Sequence, residues 1–191
     1  EAAREARAGR FLFVSTDEVY GSKPRGVFNE GSPLTPRNPY SAAKAGADRM
    51  AHAFSITYGM DILITRPSNN YGPRQFPEKL VPLFVYKALR DEPLPVYGDG
   101  RQRRDWLHVA DHCRAVWAVM QRGRKGETYN IGGRCERVNI DTVCLICDLL
   151  DAMLPDAALR PRRRLITFVK DRPGHDLRYA IDCRKIETEL G

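Results

Sequence analysis

The apolar residues of this chain fall into short continuous runs and into longer stretches spaced for one helix face. The run Phe11-Leu12-Phe13-Val14-Ser15 has the pattern of a strand buried on both faces of a parallel sheet. Residues 1–10, rich in Ala, Arg and Glu, predict a helix that Gly9 closes. Residues 21–39, dense in Gly and Pro, predict a loop, residues 40–58 a helix, and Asp61-Ile62-Leu63-Ile64-Thr65 the next strand. Strand, helix, strand in that order predicts a right-handed parallel crossover and an α/β fold.

Beyond this unit the pattern loosens. Residues 68–77 predict a loop, 78–90 a helix, 93–104 a series of turns, 106–109 a short apolar run and 110–122 a helix. A short strand at 128–131 ends at Gly132-Gly133, a helix at 139–153 has Asn139 or Asp141 as its cap, and a strand at 165–169 precedes a last helix at 183–190. The chain opens inside one expected helix, stops inside another, and holds no Gly-x-x-Gly-x-x-Gly or Walker loop. The expectation is a piece of a longer protein.

Composition narrows the class. Hydrophobic residues at 42% and charged residues at 29% exclude a disordered, collagen-like or coiled-coil chain. No apolar run approaches the ~20 residues that cross a bilayer, so no membrane partner is expected. Five cysteines, an odd count in a chain with core enough to need no staples, read as reduced thiols in a cytoplasmic protein. The net charge of +7 fits a solvated basic surface or an anionic partner such as a phosphorylated small molecule. The one dense basic run, Arg160-Pro161-Arg162-Arg163-Arg164, has no interleaved aromatics, which argues against nucleic acid.

Two constellations carry candidate chemistry. Tyr40 and Lys44, at i and i+4, share one helix face. An ammonium beside a phenol stabilises the phenolate, lowers its pKa and makes the tyrosine a proton acceptor. Ser15-Thr16-Asp17-Glu18 stands directly after a predicted parallel strand, where open α/β sheets bind ligands. His108 and His112 lack a third metal ligand, so no metal site is expected. Cys144 and Cys147 read as core thiols, Trp106 and Trp117 as packing residues, and Arg101 and Arg103 as solvated surface.

Five segments together resemble dTDP-glucose 4,6-dehydratases, NAD-dependent nucleotide-sugar enzymes of the extended short-chain dehydrogenase/reductase family. They are Ser15–Gly21 (STDEVYG), Tyr40–Lys44 (YSAAK), Arg66–Pro73 (RPSNNYGP), Pro95–Asp105 (PVYGDGRQRRD) and Asp171–Asp182 (DRPGHDLRYAID). The resemblance implies the later part of a Rossmann-like NAD domain at 1–72 and 105–132, and a smaller nucleotide-sugar-binding α/β domain at 73–104 and 133–191. It implies that Thr16, Asp17, Glu18, Tyr40 and Lys44 are catalytic, with Ser15, Tyr40, Lys44 and Asn70 holding NAD. Thr16, Asn69, Lys79, Leu80, Pro95, Tyr97, Arg104, Asn139, Arg172 and His175 would hold the dTDP-glucose. Thr-Asp-Glu after the strand favours dehydration over epimerisation, and Arg172–Asp176 leans toward dTDP over UDP. A UDP-sugar dehydratase or epimerase, or a module that binds a nucleotide sugar without turning it over, are the alternative readings. A homodimer is implied by resemblance alone, and this stretch by itself is expected to be inactive.

Overall fold

The computed structural model describes residues 1–154 and 160–191. In chain order it runs α1 (Ala2–Glu5), β1 (Phe11–Val14), a 3₁₀ turn at Asp17–Tyr20, α2 (Pro39–Tyr58), β2 (Ile62–Pro67), β3 (Asn69–Tyr71) and α3 (Leu80–Leu89). Then follow β4 (Leu94–Tyr97), β5 (Arg103–His108), α4 (Val109–Arg122), β6 (Thr128–Ile131), β7 (Glu136–Val138), α5 (Asn139–Met153), β8 (Ile166–Val169) and α6 (Arg184–Leu190). The fold is α/β.

Three parallel strands in the order β1-β2-β6 form the main sheet. Central β2 is buried along its whole length. Alternate residues of a strand face opposite sides, and β2 uses both. Ile62 and Ile64 meet Ala51 of α2, whereas Leu63 packs with Val119 of α4 and with Ile186 and Leu190 of α6. Helices therefore cover both faces, as parallel sheets require. A second core joins α3, β4 and α5 through Phe84, Leu94 and Val143, closed by Leu165 just before β8 and by Ile166 in it. The third sheet, β3-β5-β7, pairs β3 and β5 in parallel and β5 and β7 antiparallel. Asp105 fixes the turn into β7 by accepting from the backbone N–H of Gly133 (2.7 Å) and Cys135 (2.6 Å).

Several expectations are corrected. The first helix ends at Glu5, and Arg7 at φ +50° breaks it before Gly9. Among the described residues β1 pairs only with β2, and Phe11 (37% exposed) and Val14 (39%) are not buried on both faces. The expected loop at 68–77 contains β3, the turns at 93–104 contain β4 and the start of β5, and β7 was not anticipated. Neither Asn139 nor Asp141 caps α5, because the boundary residue is Val138 and no side chain accepts there. Trp117 stands 66% exposed on α4 instead of packing. Cys147 is buried as expected, whereas Cys144 is half-buried. Three arginines of the basic run are paired within the chain: buried Arg162 with Asp151, Arg163 with Asp148 and Arg164 with Asp91. Among the described residues no helix is long and apolar enough to cross a membrane.

Candidate active site

The carboxyl ends of β1 and β2 open onto a cleft of about 650 Å³ whose far wall comes from β4, β5, α5 and the segment around His175. The turn after β1 is built by its own side chains. Thr16 Oγ1 accepts from the Glu18 N–H at 3.3 Å and starts the 3₁₀ turn. Gly21 ends it at φ +81°, where a Cβ would lie 2.4 Å from the Thr35 carbonyl oxygen. Only glycine fits there. Glu18 reaches the cleft wall and accepts from Tyr179 Oη at 3.3 Å, while the same hydroxyl lies 2.8 Å from Asp176.

Helix α2 delivers the second constellation. Asn38 and Ser41 form a reciprocal capping box and Pro39 occupies the first turn, so the helix starts sharply just before Tyr40. Tyr40 and Lys44 both line the cleft. Lys44 Nζ donates to the Val14 carbonyl at 2.6 Å and lies 4.6 Å from the centre of the Phe13 ring.

The electrostatics separate these groups. Burial first, and the Glu18 charge second, push the Asp17 carboxyl up to about 8, so it keeps its proton at neutral pH. Tyr40 is held above the ordinary tyrosine value by desolvation, then by Glu18 and Asp17. The expected lowering of Tyr40 by Lys44 is therefore not found: the ammonium is engaged by the Val14 carbonyl, and the nearby carboxyl groups dominate. Desolvation lowers His175 and His112, so both are neutral at pH 7.

A family model described as GDP-mannose 4,6 dehydratase matches residues 1–191. The chain belongs to the GDP-mannose 4,6-dehydratase family. It is 57% identical over 185 residues to a dTDP-glucose 4,6-dehydratase of Xanthomonas campestris pv. campestris, covering 96% of this chain and 53% of that protein. A dTDP-glucose 4,6-dehydratase from Streptomyces venezuelae, crystallised with NAD, superposes with a TM-score of 0.91 at 49% identity, over 99% of this chain and 56% of that one. A UDP-glucuronic acid 4-epimerase from Bacillus cereus is 30% identical with a TM-score of 0.83, over 95% and 55%. The chain thus spans about half the length of the curated relatives it matches.

Within this family member, one cleft gathers almost every residue singled out in the sequence. Ser15, Thr16, Glu18, Tyr40, Lys44, Asn69, Asn70, Lys79, Leu80, Pro95, Tyr97, Arg104, Asn139, Arg172 and His175 all line it. Asp17 does not. Its carboxyl is buried behind the wall, 3.5 Å from the Thr16 hydroxyl, and its Oδ2 has no partner. Arg104 spends donors on the carbonyls of Arg103 and Asp176 and lies 4.3 Å from the Tyr179 ring centre. Arg101 and Arg103 are exposed, as expected.

Sequence reading missed Gln75, Gln102 and Tyr179, weighed His112 only as a metal ligand, and took Trp106 for a packing residue. All five line the cleft. Gln102 and Tyr179 stand inside motif segments, which was the available signal; Gln75 offered none. Buried polar atoms without partners cluster here, among them Ser15 Oγ, Ser68 Oγ, Asn69 Oδ1, Asn70 Oδ1 and Trp106 Nε1. Orphaned buried groups are costly, and Ser15 Oγ and Asn70 Oδ1 are of a chemistry that fits the hydroxyl and carboxamide groups at the nicotinamide end of NAD.

The Asp17 proton gives a stability test. The folded chain holds it to about pH 8, whereas an unfolded aspartate releases it near 3.8. Between these values the unfolded chain binds fewer protons, so the contribution of this group to stability falls as pH rises. Asp17→Asn should therefore melt higher than the parent at pH 8–9, by about 2–4 °C for each kcal/mol relieved. The difference should vanish below pH 3.8. A pH-independent difference in thermal melts would mean that Asp17 is ionised in the fold.

Proposed function

We propose that the protein carrying this chain converts dTDP-glucose to dTDP-4-keto-6-deoxyglucose with NAD as internal redox partner. The supporting observation is one cleft that joins a tyrosine and lysine on a helix N-terminus to Glu18, with a protonated Asp17 directly behind. Thr16 holds the sugar O4 and Tyr40 takes its proton. Bound NAD would accept the C4 hydride and return it to C6. The 4-keto group acidifies C5, Glu18 removes that proton, and Asp17 supplies one to the departing O6, so that one water leaves and the sugar is redox-neutral overall.

A carboxyl group that burial holds protonated suits the acid in this division of labour. Ser15, Lys44 and Asn70 would hold the nicotinamide end of NAD. Asn69, Lys79, Leu80, Pro95, Tyr97, Arg104, Asn139, Arg172 and His175 would hold the nucleotide sugar, with guanidinium forks suited to diphosphate oxygens. Of the two lobes, 1–72 with 105–132 would serve the cofactor and 73–104 with 133–191 the sugar nucleotide. A homodimer through α2 is supported by exposed Met50 (60%), Ile56 (72%) and Tyr58 (50%); a monomer mass in sedimentation equilibrium would exclude it.

The deciding assay incubates full-length protein with NAD and either dTDP-glucose or UDP-glucose, following the 4-keto product by its alkaline absorbance. Product from dTDP-glucose is expected. Release of UDP-galactose from UDP-glucose without a keto sugar would instead establish an epimerase.

A further inference from the structure

Outside the cleft lining lies a buried polar network that the proposed chemistry does not use. Arg66, at the end of β2, is 1% exposed, yet its guanidinium is almost fully engaged. Its Nε (2.9 Å) and Nη2 (2.8 Å) grip the carboxylate of Asp48, which is 0% exposed. Its Nη1 donates to Tyr20 Oη at 2.7 Å and to the Glu30 carbonyl at 3.3 Å. Tyr20, also 0% exposed, passes its own proton toward Asn130 Oδ1 at 2.8 Å on β6, with its ring stacked on Phe28.

The placement of these partners matters more than their energy. Tyr20 is the last residue of the turn that carries Asp17 and Glu18. Asp48 lies one helical turn beyond Lys44 on α2, the helix that carries Tyr40. One guanidinium thus bonds both elements that supply the reacting side chains. Replacing a buried ion pair by apolar groups is often neutral for stability, so what this pair supplies is position more than energy.

We infer that Arg66 is a positioning residue, and that through Tyr20 and Asp48 it locks the Asp17–Glu18 turn against the Tyr40–Lys44 helix. The inference deepens the dehydratase reading and rests on it for its kinetic consequence only. The two arms are separable. Tyr20 holds the turn that performs elimination, and Asp48 holds the helix that performs C4 oxidation. Misplacing a reacting group by about 1 Å costs on the order of 10²-fold in rate. Loosening either arm should therefore slow its own step selectively.

Tyr20→Phe is the informative variant, because it keeps the ring on Phe28 and deletes only the hydroxyl. Two readouts are needed. In hydrogen exchange on the chain itself, the amides of Val19 and Gly21, which close the turn onto Thr16 and Glu18, should exchange at least about tenfold faster, with those of the α2 first turn unchanged. In full-length protein given dTDP-glucose and NAD, elimination should slow about 10- to 100-fold, so the reduced nicotinamide builds up in a single turnover while KM stays within about twofold.

Asp48→Asn should show the reverse kinetic pattern, slow oxidation and no build-up, even where its melting temperature drops. Unchanged exchange in the turn of Tyr20→Phe, or loss of both chemical steps in equal proportion, would overturn the lock. If wild-type protein forms no keto sugar, the dehydratase reading fails, and the exchange result still decides on the lock.

Discussion

Tyr40→Phe in the full-length protein should lower kcat about 10²–10⁴-fold, the usual worth of a positioned proton acceptor. Nucleotide-sugar affinity should hardly change. The substitution is locally benign. Tyr40 is 57% exposed at the start of α2, and the Asn38–Ser41 box that fixes the helix does not involve its ring. What disappears is the oxygen that takes the O4 proton, so neither reduced nicotinamide nor keto sugar should form. The pH dependence adds a second check. Tyr40 is held above its ordinary value, so C4 oxidation in wild-type protein should still be climbing above pH 8. Elimination needs the Asp17 proton and should fall with an apparent pKa near 8. The slow step should therefore pass from oxidation to elimination as pH rises. Single-turnover rates measured across this range would expose the crossover, and normal turnover by Tyr40→Phe would remove the tyrosine from the mechanism.

Two strands of the main sheet were legible because they are or begin as apolar runs, Phe11–Val14 in β1 and Ile62-Leu63-Ile64 in central β2. The strands that were missed are of another kind. β3 and β7 are three residues long, and β4 contains Pro95 and is followed by Gly98 and Gly100. β4 becomes a strand by pairing with β8, whose residues lie about 70 positions later, as in Leu94 opposite Ile166. No local pattern encodes that. The site divides in the same way. Thr16, Asp17 and Glu18, and Tyr40 with Lys44, were readable because each group is contiguous or one helical turn apart. Tyr179 reaches Glu18 across 161 positions and could not be inferred from spacing. The Lys44 ammonium was misjudged for a related reason. Helix spacing places it near Tyr40, but its N–H donates to the Val14 carbonyl at the end of β1 instead.

Asp17→Asn and Glu18→Gln should each leave C4 oxidation running and stall the loss of water. The two carboxyl groups are adjacent in sequence but differently placed. Glu18 stands on the cleft wall, and Asp17 is 3% exposed behind it. Burial and the Glu18 charge keep Asp17 protonated near neutrality, which suits an acid for the leaving O6. An asparagine fills the same space but has no acidic proton to give. A glutamine at Glu18 cannot accept the C5 proton, although it still bonds to the Tyr179 hydroxyl. Loss of either function should slow elimination about 10²–10⁴-fold, so reduced nicotinamide should accumulate on the enzyme to nearly one equivalent. The two variants should then part company with pH. Wild-type elimination falls above pH 8 as Asp17 loses its proton, and Asp17→Asn should already be slow and flat there. Glu18→Gln removes the larger of the charges acting on Asp17 and lets it titrate lower, so its residual elimination should begin to fall at lower pH. An epimerase has no elimination to stall, and neither variant would then trap the reduced cofactor. Stopped-flow absorbance in the reduced-nicotinamide band separates these outcomes. Full-speed turnover of both variants without accumulation would show that the pair is structural.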